Sequence, residues 1–262
     1  MITNKNIVLT GANNGIGFRI LKLLLEGKNR ILCIDTGTDN LEALSCEKIT
    51  ILKKDISSEA AVDEIFNKAQ ELFGKIDIFF ANAGFGYYEE INYEDWNRVK
   101  RIFETNVFSP VYSYQKYIRH LNGRQGAFVI TDSVIGLLAI PGFALYSSTK
   151  FALSGFSRAV RFEKPDNLQL TCIYPVATDT GFFKRANKIP YEKPFPVQSP
   201  ETVARKAVKG VEKGKKIVST SLLFNISKPF MRLLPPLKAV YLYFENKKFI
   251  RFKEKLKKLH CE

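Results

Sequence analysis

A chain of 262 residues with 45% apolar and 25% charged positions is globular in composition, which excludes collagen-like, disordered and disulfide-stapled chains. At roughly 150 residues per domain it makes one large or two small units, and a chain this long buries about 70–75% of its unfolded surface without a metal or disulfide. The net charge of +14 is uneven: residues 201–262 carry 16 Lys and Arg against five Glu, and the preceding residues only 24 basic against 21 acidic side chains.

In chain order, short apolar runs at residues 7–9, 31–34, 49–52, 76–80, 127–130, 168–173 and 217–218 read as strands. Helical patterns lie between them, over 16–27, 58–73, 92–121, 146–163 and 200–213, with Gly27, Gly74 and Gly123 where three of these should stop. Seven strands separated by helix-length segments predict an α/β chain: one Rossmann-like, doubly wound domain with a seven-stranded parallel sheet covered on both faces. Residues 181–199, rich in Pro, aromatics and Lys, read as an irregular excursion from the sheet edge. The amino terminus reads directly as a strand rather than a signal peptide, and the longest charge-free run, 133–149, contains Gly136, Pro141 and Gly142, so no membrane span is expected. The cysteines Cys33, Cys46, Cys172 and Cys261 share no CxxC spacing, and the two histidines, His120 and His260, are too few for a zinc cage. No metal is expected, and a reducing interior such as the cytosol fits best.

The first strand runs into Thr10-Gly11-Ala12-Asn13-Asn14-Gly15-Ile16-Gly17 and then a helix. Glycines here let the backbone turn tightly and admit a pyrophosphate close to the main chain, with helix N–H groups facing the anion. The second strand ends in Asp35, 18 residues after Gly17, near the spacing at which a carboxylate accepts hydrogen bonds from an adenosine ribose. A 2′-phosphate there would meet a negative charge, and neither Asn13, Asn14, Thr36 nor Gly37 supplies a cation, so NAD is expected over NADP. Further on, Tyr146 and Lys150 are four apart at the head of a helix, which puts phenol and ammonium on one face. A cation within about 4–6 Å favours the phenolate and lowers its pKa toward useful acid and base work.

Thr10-Gly-Ala-Asn-Asn-Gly-Ile-Gly17, Ala81-Asn-Ala-Gly84, Asn106, Ser133 and Tyr146-xxx-Lys150 occur in the order found in the short-chain dehydrogenase/reductase family, which residues 5–181 resemble. The resemblance implies hydride transfer between a nicotinamide and an alcohol or carbonyl carbon. Tyr146 would move the proton, and Lys150 would tune it and bind the nicotinamide ribose. Ser133 would hydrogen-bond the substrate oxygen, and Asn106 would hold a water linking Lys150 to solvent. On the cofactor side it implies Gly11, Asn13, Asn14, Gly15, Ile16 and Gly17 at the phosphates and Asp55 with Ile56 beside the adenine. Asn82, Ala83 and Gly84 would lie along the ribose, with Pro175 and Thr178 at the carboxamide. Val176 departs from the family pattern, which usually has Gly there, and puts the nicotinamide-side loop in question. The implied organisation is a core over 1–180, a substrate-binding region over 181–236 and a basic extension over 237–262. A homodimer or homotetramer is also implied, through the helices starting near Asn92 and at Tyr146, with the tyrosines of 111–118 either supplying that interface or buried within one subunit.

Phe182, Phe183, Lys184, Arg185, Tyr191 and Phe195, with Leu137, Leu138, Ile140 and Phe143, suggest an apolar site mouth for a lipid, steroid or retinoid-like alcohol or ketone, or else lid and interface packing. In the tail, Phe249, Phe252, Leu256 and Leu259 recur at helical spacing among lysines. Such a helix either packs its stripe on its own domain or, together with the apolar surface of 222–226 and 230–237 beside it, makes peripheral membrane contact. A different class of function, a dinucleotide sensor using the basic tail to hold a partner or nucleic acid, is disfavoured because Tyr146 and Lys150 are both present and no nucleic-acid module is recognised.

Overall fold

β1 (Asn6–Thr10), β2 (Arg30–Asp35), β3 (Ile49–Lys53), β4 (Ile78–Ala81), β5 (Gly126–Thr131) and β6 (Leu168–Tyr174) form one parallel sheet in the computed structural model, which describes residues 1–44 and 46–260. Counting a short β7 (Ala177–Thr178) and β8 (Val197–Gln198) that pair only with each other, the sheet closes on β9 (Ile217–Ser219), and its order is β3-β2-β1-β4-β5-β6-β9. The chain crosses between β1 and β4, so the strand order reverses there, and in open α/β sheets ligands bind outside the carboxyl ends of the strands at such a switch point.

Side chains alternate across the sheet, which explains why its strands read as unbroken apolar runs: both faces are buried. Val8, Leu32, Phe79 and Phe128 point to one face, against α3 (Glu59–Phe73), α5 (Ser109–Leu121) and α6 (Ala144–Glu163). Phe79 stacks between Phe66 and Phe128 at ring distances of 5.4 and 5.2 Å. Ile7, Leu9, Ile31 and Phe80 point to the other face, against Ile20, Leu21 and Leu24 of α1 (Gly15–Leu25) and Ala204, Ala207 and Val208 of α8 (Pro200–Glu212).

Caps set several helix ends. The Ser58 hydroxyl accepts from Ala61 N at 3.2 Å to start α3, which Gly74 ends in the left-handed conformation. Gly27 does something else: its φ is not positive, and a Cβ there would lie 2.3 Å from the Ile2 carbonyl oxygen, so it is a point of close approach.

The helix expected over 92–121 is three pieces: α4 (Trp96–Phe103), a π-turn (Glu104–Phe108) and α5. The tyrosine-rich run within it is largely internal, with Tyr114 and Tyr117 buried in the core. The region 181–199 is more regular than its composition suggests, since it holds α7 (Phe182–Ala186) and β8. The tail continues through α9 (Leu222–Leu233) into α10 (Pro235–His260), and Cys261 lies outside the described residues. The predicted stripe on α10 turns inward: Phe252 is buried against Tyr88 and Tyr191, with Phe249 and Leu256 packed beside it and only Leu259 of the set exposed. Lys253 and Arg251 pair with Glu90 and Glu192 of the body at 2.9 and 3.1 Å, so this helix is part of the domain and not an appendage. Among the described residues no helix is long and apolar enough to cross a membrane.

Candidate active site

A cleft of about 830 Å³ opens along the carboxyl ends of β1, β2, β4, β5 and β6. Gly11, Asn13, Asn14, Gly15, Ile16, Gly17, Asp35, Asp55, Ile56, Asn82, Ala83, Gly84, Ser133, Tyr146, Lys150, Pro175 and Thr178 all line it. Asn106, the remaining sequence-predicted residue, lies just behind, buried in the π-turn.

At one end is the turn between β1 and α1. Gly11 and Gly15 hold positive φ of 67° and 56°, and a Cβ on Gly17 would sit 1.9 Å from the Gly11 carbonyl oxygen. Asn14 occupies the N-cap of α1 without a side-chain bond to the first turn, leaving that turn's amides for an anion. Asn13 turns its side chain away instead: its Oδ1 accepts from Asn40 N and Leu41 N at 2.9 and 3.2 Å, capping α2 (Asp39–Glu42). The Asp35 carboxylate accepts from Asn13 N at 2.9 Å and Thr36 N at 2.8 Å, which fixes it at the edge of the cleft. Sequence reasoning missed Lys54, which lines this end, but its ammonium is 2.5 Å from Glu64.

Side-chain bonds carry order from this loop to the far end. Thr10 Oγ1 accepts from Asn82 N and Ala83 N at 3.0 and 3.1 Å, and Asn82 Nδ2 donates to the Thr10 and Gly11 carbonyls, each at 3.1 Å. Thr131 Oγ1 donates to Asn82 Oδ1 at 3.1 Å, and Lys150 Nζ donates to the Thr131 carbonyl at 2.8 Å. The Lys150 ammonium is 5.7 Å from the centre of the Tyr146 ring. Asn106 is a brace in this structure: its amide donates to Phe85 O at 2.8 Å and Thr149 Oγ1 at 3.1 Å and accepts from Phe85 N at 3.1 Å. The π-turn breaks the regular helical ladder where this residue meets the strand-four loop, and no periodicity argument shows such a break. Thr178 Oγ1 donates to the Val176 carbonyl at 2.9 Å, and Val176 packs into the buried loop without a positive φ, so a β-branched residue is accommodated there.

The electrostatics differ from the sequence expectation. Burial pushes the Tyr146 phenol well above its ordinary value, the Asp132 carboxylate adds to this, and a hydrogen bond with Ser133 opposes it. Burial likewise lowers Lys150, with Asp132 acting against that shift. Desolvation therefore dominates at both groups, in place of the ammonium–phenolate attraction that the spacing suggested.

Asp132 is the residue sequence reasoning passed over. Its Oδ2 accepts from Ser154 Oγ at 2.6 Å, while Oδ1 is buried with no partner. Burial raises its pKa to about 6, against the pull of Lys150. A carboxyl raised in the fold keeps its proton where the unfolded chain has lost it, so its contribution to stability declines as pH rises from about 4 to about 6. Asp132→Asn is expected to flatten this window and to be more stable than the parent at pH 8 by about 2 kcal/mol. Urea unfolding at a series of pH values checks this; parallel profiles would refute it.

The outer part of the cleft is apolar. Phe182, Phe183, Phe195, Leu138, Ile140 and Phe143 line it as expected, joined by Arg185 and by Arg101, which was not anticipated. Of the other expected mouth residues, Tyr191 stacks on Tyr88 at 3.8 Å in the cluster beneath, Leu137 packs on the main core, and Lys184 is not at the lining. The Phe182 ring is 5.1 Å from that of Tyr146.

A glycine cradle at one end of a switch-point cleft and a buried Ser–Tyr–Lys group toward the other define a dinucleotide-dependent oxidoreductase site. The short chain dehydrogenase family model matches residues 5–189, and the chain belongs to that family. Mouse 17-beta-hydroxysteroid dehydrogenase 13 is 27% identical over 237 residues, covering 86% of this chain and 77% of that protein. A short chain dehydrogenase/reductase from Burkholderia phymatum, solved with NAD, superposes with a TM-score of 0.78 at 18% identity, over 91% of this chain and 97% of the other. An alcohol dehydrogenase from Thermococcus sibiricus, solved with 5-hydroxy-NADP, gives 0.72 at 25% identity, over 82% of this chain and 95% of the other.

Proposed function

We propose that the protein interconverts a bulky apolar alcohol and the matching carbonyl, using NAD. The observation that carries this is one continuous cleft holding the glycine loop and Asp35, the buried Ser133–Tyr146–Lys150 group, and an aromatic mouth. The residues present fit a dinucleotide: Gly11 and Gly15 line the cleft and hold the turn at positive φ, and the first turn of α1 has amides to offer. When bound, the nicotinamide supplies the hydride chemistry. The chain's own residues do the rest. Ser133 orients the substrate oxygen, Tyr146 exchanges a proton with it, and Lys150, held on the Thr131 carbonyl, favours the phenolate when that proton leaves. The steroid-named relative and the phenylalanines at the mouth support an apolar substrate. Hydroxysteroids, retinol and long-chain alcohols assayed with NAD at alkaline pH test the reading; absence of NADH formation with all three classes counts against it.

Asp35 supports NAD because its charge opposes a 2′-phosphate and Lys54 is engaged by Glu64. NADH is expected to bind at least about tenfold more tightly than NADPH, and Asp35→Ser with Thr36→Arg to invert the order. Fluorescence titration with both cofactors checks this, and equal affinities would overturn it. We also propose self-association through α4–α6, where Trp96, Phe108, Phe151 and Phe162 are exposed.

A further inference from the structure

We propose that the outer face of α9 and the first turns of α10 docks on the surface of an anionic phospholipid bilayer, with the rim of the cleft turned toward the lipid. Leu222, Ile226, Phe230 and Leu233 are spaced along one side of α9, and all four are exposed, Leu222 by 70% and Leu233 by 75%. The face continues on α10 through Leu237, Val240 and Phe244, also exposed. The other side of α9 belongs to the site: Phe224, Ser227 and Met231 line the cleft, as does Tyr241 of α10, whose hydroxyl donates to the Phe195 carbonyl at 3.0 Å. The apolar face is thus the outside of the cleft wall.

Charge selects the occupant. From residue 221 to residue 244 the chain has three basic residues and no acidic one, and Lys228 and Lys238 are exposed on these two helices. A second copy of the chain meeting this face about a two-fold axis would set cation against cation. A bilayer with acidic headgroups satisfies both parts, taking the leucines and phenylalanines below the headgroups and the lysines among them. Of the two tail features expected from sequence to reach a membrane, the apolar surface of 222–237 is exposed, whereas the phenylalanines of the α10 stripe are packed inside. That the bilayer delivers the substrate rests on the function proposed above; docking itself does not.

Flotation of the full chain with vesicles of phosphatidylcholine containing about one-third phosphatidylserine tests it, beside phosphatidylcholine alone. Binding is expected to the mixed vesicles and to weaken in high salt. Leu222→Asp with Leu233→Asp, and separately Lys228→Glu with Lys238→Glu, should each lower the partition coefficient by about tenfold or more, with the thermal midpoint unchanged. Recovery equal for all three proteins, equal on both vesicles, or absent for the parent chain overturns the proposal. A dimer that the leucine pair dissolves, without flotation, assigns the face to a second copy and also overturns it. Flotation of a chain that oxidises none of the alcohols tested leaves docking standing and removes the proposed function; the converse result separates them the other way.

Discussion

Replacing Tyr146 with Phe is expected to lower kcat by about a thousandfold while leaving the Kd for NADH within about twofold. The substitution removes only the hydroxyl. The ring's neighbours, Phe143 at 6.0 Å and Phe182 at 5.1 Å, contact the part that remains, so the site keeps its shape. The dinucleotide's phosphate and adenosine contacts are expected at the other end of the cleft, on the glycine loop and Asp35, and Lys150, Pro175 and Thr178, expected at the nicotinamide, are unchanged. Single-turnover kinetics with any confirmed substrate, together with a NADH titration, read the two effects separately. Full activity in the variant would mean that the proton moves elsewhere.

Gly17→Ala is expected to cost about 3 kcal/mol of stability and to abolish dinucleotide binding. The added methyl would lie 1.9 Å from the Gly11 carbonyl oxygen and 2.6 Å from Asn82 Nδ2. Main chain cannot yield as a side-chain tip does, so α1 must move off the loop or the loop must open. Both distort the turn meant for a pyrophosphate. Gly155 in α6 supplies the comparison: nothing lies within 4 Å of a Cβ there. Gly155→Ala should instead stabilise the helix by about 0.5–1 kcal/mol. Chemical denaturation of both variants distinguishes crowding from backbone preference; equal changes would defeat the argument.

The sheet was legible because a strand buried on both faces has only apolar residues to offer, and seven such runs separated by helix lengths leave little choice of topology. The glycine loop and the Tyr146–Lys150 pair were legible for a related reason, since each is a local spacing that chemistry constrains. What escaped depended on distant partners. Asn106 reads as one more helical residue until the π-turn brings it to Phe85. Asp132 reads as a neighbour of Ser133 until Ser154 and burial are seen around it. The phenol's upward shift follows from enclosure, which a four-residue spacing does not encode. The α10 stripe gave its periodicity correctly and its destination ambiguously, because a pattern of leucines and phenylalanines is the same whether it faces protein or lipid.

The fold-back of α10 also bears on the order in which the chain is made. Phe252 closes over Tyr88 and Tyr191, and Glu245 accepts from the Phe195 amide at 3.3 Å, so the wall beside the substrate is finished by residues that leave the ribosome long after the nucleotide-gripping half. The core beneath the glycine loop is complete by Val218, whereas the aromatic chamber is walled only once the last helix is in place.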